Sequence, residues 1–70
     1  MTIWTDDEIA ERIAHAGSLE DARFVLYRFN DRLTFALLHK AADLERALWP
    51  APRISLIRLL EARARKVAHR

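Results

Sequence analysis

Residues 19–48 read LEDARFVLYRFNDRLTFALLHKAADLERAL, and how this stretch is periodic decides the fold. Apolar residues recur at helical spacing throughout it. Asn30-Asp31 is the one soft spot; with no Gly or Pro to enforce a break there the stretch reads as a continuous helix of about 30 residues, or ~45 Å, with a kink or break at Asn30-Asp31 as the alternative. Projected at ~100° per residue it is apolar on two sides. Ala22, Leu26, Phe29, Leu33, Leu37, Leu44 and Leu48 form one stripe. Phe24, Tyr27, Phe35, Leu38, Ala42 and Trp49 form another on the opposite side, carrying most of the aromatic residues. Arg23, Arg28, Arg32, Asn30, His39 and Arg46 occupy the flanks between them.

The sequence on either side supplies one helix each. Thr5 with Glu8 has the spacing of a capping box, and Trp4 with Ile9 that of a hydrophobic staple, so a short helix starts at Thr5 and places Ile9, Ile13 and Ala16 on one face. Gly17 is expected to end it in the left-handed conformation, and Ser18 with Asp21 to begin the next. Pro50 and Pro52 stop the central helix, because each disfavours helical geometry in the residue before it. Pro52 suits the first position of a third helix reaching about His69. The expected fold is therefore all-α: residues 1–70 as one domain, a short helix, a long central helix and a third helix forming a helical hairpin or bundle. The two flanking helices, folded back antiparallel, would cover the first stripe from end to end.

Size and composition bound the function. A chain this short buries only ~60% of the surface its unfolded form exposes, so the second stripe calls for cover from outside, and a homodimer is the expected source. At 51% hydrophobic and 31% charged residues, the chain is too apolar for disorder and too charged for a membrane span. The absence of cysteine excludes a disulfide framework and fits a cytoplasmic setting. The acidic start Thr5-Asp6-Asp7-Glu8 is unlike a signal peptide. The net charge of +2 is unevenly spread: residues 1–21 hold six acids and one base, residues 53–70 one acid and six bases. Such a gradient is expected either from a basic nucleic-acid-binding end or from intrachain pairing between the two ends.

Catalysis finds no support. Ser18 belongs to a helix cap, Ser55 to a first helical turn, and no Gly-rich phosphate loop occurs. His15, His39 and His69 lie on different helices, and the pairs Glu11/His15 and His39/Asp43 fall short of the four ligands of a closed metal site. No cofactor or metal is expected. A helix-turn-helix around Gly17 fails because Arg23 stands where the second helix needs an apolar contact. What the sequence offers is a non-catalytic protein-interaction module of the adaptor or inhibitor kind, with Phe24, Tyr27, Phe35, Leu38 and Trp49 as its partner-binding residues. The alternative is nucleic-acid binding through Arg58, Arg63, Arg65, Lys66 and Arg70, opposite the third helix's apolar face of Ile57, Leu60, Ala64 and Val67.

Overall fold

The computed structural model describes residues 3–69. Among them are four α-helices, α1 (Asp6–Ala14), α2 (Leu19–Arg28), α3 (Phe35–Leu48) and α4 (Ile54–Ala68), with a single 3-10 turn at Asn30–Arg32 and no strand. The all-helical class is as expected, but the central helix is two helices.

Local chemistry explains each boundary. At the start of α1 the Thr5 hydroxyl accepts from the Glu8 N–H at 3.2 Å while the Glu8 carboxylate accepts from the Thr5 N–H at 3.0 Å, so two otherwise orphaned donors are satisfied together. Asp6, Asp7 and Glu8 also place negative charge on the positive end of the helix dipole. Ser18 begins α2, its hydroxyl accepting from the Asp21 N–H at 3.1 Å. The left-handed Gly17 expected between these helices does not occur, since no described residue has positive φ. The chain turns there by other means: the Asp21 carboxylate accepts from the Gly17 N–H at 3.1 Å and pairs with Arg12 of α1 at 3.2 Å.

The break in residues 19–48 has a chemical and a geometric cause. Asn30 and Asp31 are weak helix formers whose side chains compete for backbone groups. Thr34 then caps a new helix, its hydroxyl accepting from the Leu37 N–H at 3.1 Å. An unbroken helix of ~45 Å would also outreach the whole molecule, whose principal extents are 32 × 31 × 20 Å. By turning, the chain brings Leu37, Leu38, Ala41 and Ala42 of α3 into the same core as Ala22, Val25 and Leu26 of α2.

Consequently the two stripes do not survive as two surfaces. Leu38 and Ala42, assigned to the outer stripe, are buried beside Leu37 and Ala41, whereas Leu48 from the inner stripe is exposed. α3 is the central element, with α1 and α4 packed against it and α2 making lighter contacts with α1 and α4. The pairing of the last helix with the second half of the central stretch is as expected. The first helix instead lies mainly on α3, not on the start of that stretch. Ile9, Ile13, Leu37, Leu38, Leu56 and Leu60 are the large apolar side chains closed off from solvent, each contributing about 1.5–3 kcal/mol by burial. The radius of gyration, 11.2 Å, matches the ~11 Å of a folded single chain of this length. No buried side-chain polar atom among the described residues lacks a hydrogen-bond partner.

α4 begins at Ile54, two residues after the expected Pro52, because its cap comes from another helix. The Glu45 carboxylate of α3 accepts from the Arg53 N–H at 2.7 Å. It thereby supplies the negative charge that the first turn of α4 lacks.

Candidate functional site

The aromatic residues singled out by the sequence part company. Phe24 and Tyr27 project from α2 and are 61% and 81% exposed. Phe35, in the first turn of α3, is half exposed and stacks on His39 with ring centroids 4.3 Å apart. Leu38 is 0% exposed, so its place is in the chain's own core.

Trp49 lies at a junction of three helices. Its indole N–H donates to the Ala14 carbonyl at the end of α1 at 3.2 Å, its ring meets the His15 ring edge-on at 6.3 Å, and the Arg53 guanidinium lies 5.8 Å from its centroid. The two Arg53–Glu45 side-chain hydrogen bonds, at 2.7 and 3.1 Å, complete the cluster. Arg53 also donates to the carbonyls of Ala14, at 2.9 Å, and Ala16. Thus Glu45 caps the start of α4 and Arg53 caps the end of α1, each with the charge its helix dipole favours. Burial pushes the Glu45 carboxyl up, but hydrogen bonds from the Arg53 side chain and backbone, its charge and the Trp49 indole outweigh that and hold it below the ordinary glutamate value. A glutamate in a helix ordinarily reads as surface, and the one local signal of this cluster is an arginine directly after Pro52, at the start of α4.

The basic residues of α4 do not meet the acidic partners that one reading of the charge gradient expects. Arg58, Arg65 and Lys66 are exposed and Arg63 is half-buried; Arg70 lies outside the described residues. The acidic start of α1 does not meet them. Asp6 pairs with Arg32 at 3.0 Å and Asp7 with Lys40, so intrachain neutralisation of the charge gradient uses the break and α3. Among the described residues no ion pair engages Arg58, Arg63, Arg65 or Lys66. Arg63 donates only to the Asn30 side chain, at 3.3 Å.

Where α2 and α4 meet, the packing leaves a seam. Leu19 shares a depression with Ile54, Ser55 and Leu56, so the two helices start side by side. Further along, Arg23, Leu26 and Tyr27 face Leu59 and Arg63 across an open depression of about 280 Å³. Beyond it Asn30 faces Arg63, Lys66 and Val67. The helices therefore run in the same direction with a shallow trough between them. Its lining is aliphatic with four cations, Arg53, Arg23, Arg63 and Lys66, and a phenol; no carboxylate lines it.

Among the described residues no three His, Cys, Asp or Glu side chains are placed to hold a metal ion, and no helix is long and apolar enough to cross a membrane. The chain matches no family model, and no curated protein or solved structure shows significant similarity to it.

Proposed function

We propose that this protein is a non-catalytic protein-binding module of the adaptor or inhibitor kind, and that Phe24 and Tyr27 of α2 are the residues through which it grips its partner. The observation that carries this reading is their exposure, 61% and 81%, the highest among the aromatic residues of the chain, side by side on α2. Aromatic residues left outside a completed core have no structural task in the single chain, and they are the residue types that anchor protein interfaces. A second copy of the chain is one protein that can occupy such a surface. The homodimer expected from the sequence rested on a stripe that included Leu38 and Ala42, and a dimer built on α2 would use a smaller patch.

A photo-crosslinking residue at position 27, introduced in the organism that makes the protein, tests the proposal. The expected result is a discrete protein adduct whose yield falls when Phe24 is replaced by Ala. Adducts only to nucleic acid, or to no macromolecule, would defeat it. Sedimentation of the purified chain then separates a foreign partner from a second copy.

The second reading is nucleic-acid binding by α4, favoured by the absence of ion pairs at Arg58, Arg63, Arg65 and Lys66. It predicts affinity for a mixed DNA and RNA pool that falls steeply with added salt, since each neutralised phosphate releases counterions.

A further inference from the structure

The seam between α2 and α4 has a composition that narrows the choice of occupant. From Ile54 to Val67 the trough is ~20 Å long, at 1.5 Å per residue, the length of a helix of about four turns. Its apolar lining includes Leu26, Leu59 and Val67, and its cations are Arg53 at the start and Arg23, Arg63 and Lys66 beyond. The acidic residues nearest in sequence are turned elsewhere: Glu61 of α4 reaches toward Arg46 of α3 at 3.9 Å, and Glu20 and Asp31 do not line the trough.

A guest must therefore combine an apolar ridge with negative flanks. A phosphate backbone supplies the charge and no ridge, and four cations are few beside the six to ten phosphate contacts that give nucleic-acid binding its strength. An acidic amphipathic helix supplies both. A second copy's α1 has the charge, but its apolar face, Ile9, Ala10, Ile13 and Ala14, is already buried in its own chain. The geometry points to the α2–α4 seam as a docking groove for an acidic amphipathic helix of another protein. This rests on the protein-binding reading above, with Tyr27 common to both, and it adds the partner's chemistry. Leu, Ile or Phe side chains at helical spacing would sit over Leu59 and Val67, and Asp or Glu on their flanks would reach Arg23, Arg63 and Lys66.

The test uses the full chain, labelled with nitrogen-15, and a synthetic peptide of about four helical turns with Leu at i, i+3 and i+7 and Glu on both flanks. Amide shifts are expected along Arg23–Asn30 and Leu59–Val67. The doubly substituted Arg63→Glu/Lys66→Glu protein should keep its circular dichroism and bind about tenfold more weakly or worse. The groove assignment is overturned by any of four results: no peptide binding up to about millimolar concentration, equal binding of a peptide with the same residues scrambled, tighter binding of an oligouridylate, or shifts confined to α1 and α3. Concentration-dependent shifts at the seam without peptide would make a second copy its occupant and overturn it equally. Crosslinking through position 27 keeps the two ideas apart. An adduct undiminished in the Arg63→Glu/Lys66→Glu protein leaves the binding module standing and removes the groove, whereas absence of any adduct in the parent chain removes both.

Discussion

Replacing Glu45 with Ala should do more harm than its place in a helix suggests. The side chain is 0% exposed and makes hydrogen bonds to the Arg53 backbone and guanidinium at 2.7–3.1 Å. Taking one partner from a buried ion pair costs about 3–5 kcal/mol. Arg53 keeps 33% of its side-chain surface in water, so solvent recovers part of that charge and the expected loss comes down to about 2–3 kcal/mol. A chain of this size has only about 4–10 kcal/mol of stability in total, and the corresponding fall in melting temperature is about 10–20 °C. Urea and thermal melts followed by circular dichroism would measure it. Glu45→Gln, which keeps an acceptor and loses the charge, should fall between Ala and the parent. If Glu45→Ala melted within about 2 °C of the parent, the linkage of α1, α3 and α4 through Arg53 would not be a source of stability.

The same cluster sets an acid limit. Because the folded-state pKa of Glu45 is depressed, its stabilisation is fully present above the ordinary carboxyl value of about 4.3 and is lost as pH falls from there through the folded value; Asp21, held low first by Arg12 and then by the Gly17 N–H, acts in the same direction. The gap in melting temperature between the parent and Glu45→Gln should therefore narrow steadily below about pH 4, and a gap that stayed constant would contradict the assignment. Gly17→Ala should raise stability by about 0.4–1 kcal/mol in a urea melt, since Gly17 has no positive φ and an added Cβ meets nothing within 4 Å. Leu38→Ala should cost about 2–5 kcal/mol, whereas Tyr27→Ala should stay within about 0.5 kcal/mol of the parent.

Two helix starts were legible because a short polar side chain announced them. Thr5-x-x-Glu8 and Ser18 stand before apolar periodicity, and both cap as their spacing implies. Thr34 does the same, but it lies inside a periodic run and has Leu37 where a capping box would place an acid, so propensity and periodicity outweighed it. Once that boundary is missed, the ~100° projection carries its phase across a turn of the chain, and Leu38 is assigned to the wrong side. Gly17 misled in the opposite way, because a residue type that permits positive φ does not require it. Long-range polar contacts were beyond reach. Nothing local joins Glu45 to a backbone N–H eight residues later, or Arg53 to the carbonyls of Ala14 and Ala16, because those partners meet only after α1 and α4 have packed on α3. Of the proposed partner-binding residues, Phe24 and Tyr27 face solvent because α2 makes only light contacts and buries one side, Ala22, Val25 and Leu26.

The central claim is that Phe24 and Tyr27 serve a partner and not the fold, and a paired measurement on the Phe24→Ala/Tyr27→Ala protein tests it most directly. Its stability in urea and its affinity for the protein captured through position 27 would be determined side by side. The account predicts stability within about 0.5 kcal/mol of the parent and affinity lower by about 2 kcal/mol or more, some thirtyfold, as expected for interface anchors. A protein that lost stability by about 2 kcal/mol and bound its partner unchanged would place both rings in the core and contradict the claim.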